Sequence, residues 1–436
     1  ILIYDLNSDK ISSKNFFSLD EFIDEDYFNH LDSLNEKNIL IEYDKHFSNA
    51  VKMHLVSDAP TSIAYSAGLD SSLITRYAHD HDSDIKCFFY NSNNKNFVKI
   101  AETIKDEIQA NLQIYNEKKY ESIINHTKMV YYSENILNPT GSPLQSLTDF
   151  ARKSGVKSML TGDAADELFG GYSAHTTFYN KLLLSNNKIF GLFTKLLNNM
   201  MPGFHKYSEK IRNNYLSDYL NDREIMHISS DIILNDSSLY KNWTRNNSSF
   251  DFIKKDFEKK MQSFFLHYFQ TNLKRYLFRS DISGMQNSVE LRIPFLDDEF
   301  VKLALNTPVK FKMGYSFFDK YTPHTKLSFL KHKIILRKLA RFKGKINKSI
   351  INRKKTGIPM DYKFAHFLLS KINTDNLGEL FKMSKAELQN LINNNEYTHL
   401  NFSFLQAEFF LRIFQNNEKY DDISNEIKTL LYSLNK

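Results

Sequence analysis

From Phe47 to Tyr115 the chain switches repeatedly between helical and extended hydrophobic period, and few folds accommodate that rhythm. Apolar residues recur at helical spacing over Phe47–Leu55, and Ser62-Ile-Ala-Tyr65 reads as a short buried strand. A helix is predicted from about Ser71 to His81, a strand over Ile85–Tyr90, a helix over Val98–Asn111 and a strand over Leu112–Tyr115. Lys157-Ser-Met-Leu160 supplies a fourth strand. Strands alternating with helices predict an α/β fold, a doubly wound parallel sheet. Residues 1–46 read as a linker that ends in a helix. Residues from Ala174 to about Lys274 read as helical packing without chemistry of their own, and those beyond Asp281 as mostly helical.

Composition removes several classes. With 36 Phe and 24 Tyr against 13 Gly and 8 Pro in 436 residues, the chain is neither collagen-like nor low in complexity. Its single cysteine, Cys87, excludes an internal disulfide and a dithiol site, and its place within a strand reads as buried filler. The net charge of +6 is local, because the stretch from Lys331 to Lys355 holds eleven Lys and Arg and no Asp or Glu. A basic stretch on an otherwise acidic chain suits a phosphate-bearing small molecule and disfavours a broad nucleic-acid face. No window approaches 18 uninterrupted apolar residues, and no signal-peptide layout is seen, so no membrane partner and a cytoplasmic location are expected. His79-Asp-His-Asp82 imitates a metal cluster but reads as a solvated helix end.

Glycine is scarce, so the turns that hold it stand out. Ser66-Ala-Gly-Leu-Asp-Ser-Ser72, between a strand and a helix, offers consecutive backbone N–H groups, a helix N terminus and hydroxyl donors to an anion. It is not of the Walker type, because no Gly-Lys-Ser/Thr follows. In Leu160-Thr-Gly-Asp-Ala-Ala-Asp-Glu-Leu-Phe-Gly-Gly-Tyr172, Asp163 and Asp166 are spaced to face one way at a helix start, which suits Mg²⁺ holding phosphate oxygens, with Asp70 as a further oxygen ligand.

The first turn resembles the pyrophosphate loop of the ATP pyrophosphatases, with Ala67 where a glycine is usual. Together the two turns resemble the asparagine synthetase family. Val289-Glu-Leu-Arg-Ile-Pro-Phe-Leu-Asp297, Lys333-Ile-Ile-Leu-Arg337 and Arg353-Lys-Lys-Thr-Gly-Ile-Pro359 are similar to further motifs of that family, in the same order. The resemblance implies an ATP pyrophosphatase-type domain over about residues 47–430. Its nucleotide-binding core would span about 47–175, with a helical insertion over about 176–274 and a helical C-terminal part over about 275–430.

The implied reaction is adenylation of a small carboxylate by ATP with Mg²⁺, followed by attack of ammonia or another amine. The resemblance places Ser66, Gly68, Asp70, Ser71 and Ser72 at the pyrophosphate and Ala64, Tyr90, Thr161 and Gly162 at the nucleotide. It places Asp70 and Asp166 on the metal. Lys355, with Lys354 as its rival, would stabilise the transferring phosphates, and Asp163 would steer or deprotonate the amine. The polar stretch Asn138–Pro143 would line the acceptor pocket. A glutaminase domain or subunit, upstream or in trans, is implied as the source of ammonia. Two other readings stay open: an intramolecular lactam or macrolactam synthetase, and an impaired binding or scaffold relative. The second is suggested by Ala67 and by Ile282, where relatives often carry a basic residue.

Overall fold

The structure, a computed structural model, describes residues 1–92, 94–136, 141–186, 248–315, 330–353, 362–394 and 400–434. An antiparallel hairpin of β1 (Leu2–Asp5) and β2 (Lys10–Ser13) precedes a five-stranded parallel sheet. The sheet consists of β3 (Thr61–Tyr65), β4 (Lys86–Asn91), β5 (Asn111–Asn116), β6 (Ser158–Leu160) and β7 (Glu290–Arg292), in the spatial order β5-β4-β3-β6-β7. Side chains alternate across it. Ile63, Tyr65, Cys87 and Phe89 enter the main core with the helices Glu36–Leu55, Leu69–His81 and Lys95–Ile108. Phe88 and Met159 face the other way, onto Leu147 and Ala151 of the helix Gly141–Lys153. With both faces covered, the predicted doubly wound α/β architecture is the one observed.

The strand order turns back beside β3. From there β4 and β5 extend to one side and β6 and β7 to the other, so the loops leaving β3 and β6 open into one crevice at the carboxyl ends of the strands, where ligands of open α/β sheets bind. Farther along, β8 (Met313–Tyr315) pairs with β9 (Leu330–His332) and delivers Lys333 to that crevice. A separate apolar cluster joins Tyr120, Ile123 and Val130 to the C-terminal helices through Leu368, Leu405, Ile423 and Ile427.

Several elements differ from the sequence reading, among them the pairs β1–β2, in a stretch read as linker, and β8–β9, in one read as mostly helical. Strand β7 was not foreseen: its three residues, with Leu291 alone apolar, hold no alternation to detect, and pairing with β6 creates it. Arg292 fixes its end by donating to the carbonyls of His54 and Val56 at 3.0 and 2.8 Å. The helix predicted at Phe47 begins at Glu36, where the Asn35 side chain accepts the Asn38 N–H at 2.9 Å, and its buried stripe starts at Ile39. The helix expected to reach Asn111 stops at Ile108, because Gln109 turns left-handed with φ 56°. Cys87 is buried in β4, and burial pushes its thiol up to about 12. No helix among the described residues is long and apolar enough to cross a membrane.

Lys312 is an anomaly in the helical part. It is wholly buried, its Nζ donating to Gln262 Oε1 at 3.2 Å and standing 4.6 Å from the Phe265 ring centroid. Burial pulls it down to about 7, against the pull of Glu258. Between that value and the ordinary lysine value of 10.5 the unfolded chain holds more protons than the folded one, so stability rises with pH through this window. Below about 7 the full penalty applies. Lys312→Met is therefore expected to raise the melting temperature at pH 7, with the gain shrinking toward pH 10.5, in thermal melts followed by circular dichroism.

Candidate active site

The helix Leu69–His81 starts inside the turn that follows β3, and its N-cap, Gly68, offers no side-chain bond to the first-turn amides. Those N–H groups stay available to an anion. The hydroxyls of Ser66 and Ser71 lie 3.0 Å apart; Ser71 Oγ accepts the Ser66 N–H at 3.1 Å and Ser66 Oγ accepts the Gly68 N–H at 3.3 Å. Between them Ala67 is buried and left-handed, with φ 54°, where alanine costs roughly 1 kcal/mol more than glycine. Ala164 (φ 71°) and Lys333 (φ 52°) are left-handed as well. Strained backbone of this kind collects at functional sites.

Opposite this loop, Lys333 gathers two carboxylates. Its Nζ lies 2.7 Å from Asp70 Oδ2 and 2.5 Å from Asp166 Oδ1, with the lysine and Asp166 buried. Gly171 makes the approach feasible, since a Cβ there would overlap Asp166 Oδ1 and stand 2.7 Å from Lys333 Cε. The Gly170 and Gly171 amides both donate to the Asp166 carbonyl at 2.9 Å, closing the turn beneath it. Asp70 Oδ1 is buried without a hydrogen bond among the described residues. Two converging carboxylates, one with an unused oxygen, fit Mg²⁺, which typically takes one or two protein carboxylates and completes its shell with phosphate and water oxygens. Among the described residues no cluster of three or more His, Cys, Asp or Glu is disposed for a metal.

Asp163 is held separately. Its carboxylate accepts from Thr161 Oγ1 at 3.0 Å and from Ser280 Oγ at 3.1 Å, and it pairs with Arg279 Nη2 at 3.3 Å. Arg279 and Ser280 come from the long helix Asp256–Met285, and the Arg279 guanidinium stands 5.2 Å from the Tyr276 ring centroid. A recess of about 540 Å³ opens beside Ser280, between that helix, β7 and the end of the helix Glu36–Leu55, with Arg292, Ile293 and Leu296 among its walls. Next to Asp166, Glu167 is pushed up to about 7, chiefly by burial and then by the Asp166 charge, against a hydrogen bond from the Tyr172 hydroxyl at 2.9 Å.

Most residues singled out from sequence meet in this crevice. Ser66, Gly68, Asp70, Ser71 and Ser72 form the loop and helix start, while Thr161, Gly162, Asp163 and Asp166 follow β6. A Cβ on Gly162 would come within 3.1 Å of Asp70 Cβ, so the two loops touch. Ala64 and Tyr90 sit near the carboxyl ends of β3 and β4, with Tyr90 stacked on Tyr115 at 6.0 Å. Lys354 and Lys355 lie outside the described residues, as do Asn138, Pro139 and Thr140 of the acceptor stretch. Arg353 reaches the loop by donating to the Ala67 carbonyl at 3.1 Å. Sequence reasoning did not single out Lys333, Arg279, Ser280 or Glu167. Lys333 lay in a recognised motif within the basic run, but nothing marked it among eleven cations. Arg279 and Ser280 lie just beyond the segment to about Lys274 that reads as packing, where nothing in the sequence marks them.

The model of the asparagine synthase family matches residues 42–434. The chain is 28% identical over 348 residues, 74% of its length, to asparagine synthetase [glutamine-hydrolyzing] 1 of Bacillus subtilis, of which it covers 50%. It is 24% identical over 273 residues to a putative asparagine synthetase [glutamine-hydrolyzing] 1 of Methanocaldococcus jannaschii, covering 62% of this chain and 37% of that relative. A further Bacillus subtilis relative, asparagine synthetase [glutamine-hydrolyzing] 3, is 27% identical over 290 residues, which cover 61% of this chain and 42% of the relative. The chain thus spans about half the length of these relatives, or less. With a parallel sheet that opens the Ser66–Ser72 loop and the acidic turn onto one crevice, and a family match over nearly its whole length, the chain belongs to the asparagine synthase family.

Proposed function

We propose that the region over about residues 47–430 is an ATP-dependent amide synthetase of the AMP-forming kind. The observation that carries this reading is the meeting of Asp70, from the phosphate loop, and Asp166, from the acidic turn, on the ammonium of Lys333. A carboxylate oxygen of the acceptor attacks the α-phosphorus of ATP, the bond to the β-phosphate breaks, and pyrophosphate leaves. The amine nitrogen then attacks the acyl carbon and loses a proton, and AMP departs with the former carboxylate oxygen.

The chain's part is charge and alignment. Loop amides and the Ser66 and Ser71 hydroxyls bind the pyrophosphate portion, and Lys333 offsets the charge that develops on it, with Lys355 expected to add a second cation. Mg²⁺ on Asp70 and Asp166 would supply further neutralisation of the phosphates. Asp163 meets the amine, which enters by the recess at Ser280. A recess lined by Ser280, whose hydroxyl donates to Asp163 at 3.1 Å, favours a separate small amine such as ammonia over an intramolecular one. A glutaminase domain or subunit is the proposed source of that ammonia. Aspartate is the first acceptor to try.

The test is pyrophosphate release from ATP, Mg²⁺ and ammonium in the presence of aspartate or other small carboxylates. Release stimulated by aspartate with asparagine as product is expected. Stimulation by another acid alone replaces the acceptor, and ATP binding without release under any acid supports the scaffold reading instead.

A further inference from the structure

Ala67 is an unfavourable residue for its place, and the structure contains something that holds it there. Its left-handed backbone turns the peptide linking it to Gly68 so that the carbonyl oxygen meets Arg353 Nη1 at 3.1 Å. A trans peptide points its N–H opposite its carbonyl, so fixing the oxygen on the Arg353 side fixes the Gly68 N–H on the other, where Ser66 Oγ accepts it at 3.3 Å. Were this peptide to flip, a carbonyl dipole would face the anion instead of an amide.

Arg353 is itself braced. Its guanidinium lies over the Phe97 ring at 4.3 Å, which orients the plane of the fork. Its amide donates to the Ile350 carbonyl at 3.1 Å, and its carbonyl accepts from Arg337 Nη2 at 3.4 Å. Arg337 also bonds the carbonyls of Ile351 and, at 2.9 Å, His332, the residue before Lys333. One connected set of bonds therefore joins the phosphate loop to the backbone that delivers Lys333.

We propose that Arg353 is the positioning residue of the phosphate loop: by holding the Ala67 carbonyl it keeps an otherwise strained alanine peptide turned with its N–H toward the pyrophosphate. It acts through the loop and touches no substrate. The inference rests on the reading of Ser66–Ser72 as a pyrophosphate site, and glycine at position 67 is the control, because glycine adopts the left-handed conformation without help.

The experiment is a double-mutant cycle on the whole chain, titrating Mg²⁺–pyrophosphate by calorimetry into the unsubstituted protein, Arg353→Met, Ala67→Gly and the pair. Arg353→Met is expected to weaken binding at least tenfold, but less than threefold when position 67 is glycine. An equal loss in both backgrounds would assign Arg353 a direct or merely structural part and overturn the proposal, as would no loss in either. Arg353→Lys serves if the methionine variant does not fold: the charge is kept while the fork over Phe97 is lost, and the same dependence on residue 67 is expected. If the unsubstituted chain does not bind pyrophosphate at all, the site reading itself fails and the inference falls with it. Binding by the unsubstituted chain with no coupling between the two positions overturns the inference alone.

Discussion

Replacing Lys333 by methionine is expected to lower ATP–pyrophosphate exchange a hundredfold or more and to leave a protein that Mg²⁺ stabilises more than it stabilises the unsubstituted chain. Both effects follow from one geometry. The ammonium lies 2.7 Å from Asp70 and 2.5 Å from Asp166, and the lysine and Asp166 are buried. Removing one member of a buried charge cluster strands the others, a loss of about 3 to 5 kcal/mol where such pairs have been broken. A divalent ion on the same carboxylates would restore much of it. Melting temperatures with and without Mg²⁺ but without nucleotide read this effect separately from turnover. The rate effect comes from losing a fixed positive charge where pyrophosphate develops its own, a contribution commonly worth a hundredfold to a thousandfold for one preorganised donor. If exchange survives in a well-folded Lys333→Met protein, Lys333 is a structural counter-ion only and the burden of phosphate charge moves to the expected Lys355.

How far this site could be read from sequence depends on whether a residue's role is local. The Ser66–Ser72 loop and the acidic turn announce themselves, because anion binding at a helix start calls for small and hydroxyl-bearing residues in consecutive order. Ser66, Asp70, Asp163 and Asp166 could therefore be proposed one by one, and strands such as Ser62–Tyr65 and Ile85–Tyr90 were visible from composition and length. Roles created by tertiary pairing left no such trace. Strand β7 exists because β6 offers it an edge, and Lys333 is distinguished from its basic neighbours by the β9 pairing that precedes it and by its left-handed turn. Ser280 is 117 residues from Asp163 and Arg279 is 116, on a helix whose sequence shows only packing. The left-handed state of Ala67 was equally hidden: from sequence the alanine at a usual glycine position suggests only an impaired relative, and the backbone angle appears in the structure.

Asp163→Asn is expected to separate the two halves of the proposed reaction. The asparagine side chain is nearly isosteric and can still accept from Thr161 and Ser280, which lie 3.0 and 3.1 Å from the present carboxylate, so the turn should keep its shape. What disappears is the negative charge and the capacity to take a proton. In the proposed reaction adenylation would use neither, since its charges would lie on phosphates near the Lys333–Asp70–Asp166 cluster. Pyrophosphate exchange driven by the acceptor should therefore stay within about threefold of the unsubstituted rate. Attack by ammonia needs a group that attracts the incoming nitrogen and receives its proton, and losing such a group typically costs a hundredfold to ten-thousandfold. Amide formation should fall by that order and recover only in part at high ammonium concentration, where the lost attraction is replaced by mass action but the lost proton acceptor is not. Arg279 sharpens the comparison: in Arg279→Met the carboxylate remains but loses its ion-pair partner at 3.3 Å, so amide formation should fall less than in Asp163→Asn while exchange again persists. Equal loss of both partial reactions in Asp163→Asn would move Asp163 from the amine to the adenylating centre, and the recess at Ser280 would no longer be the amine's route.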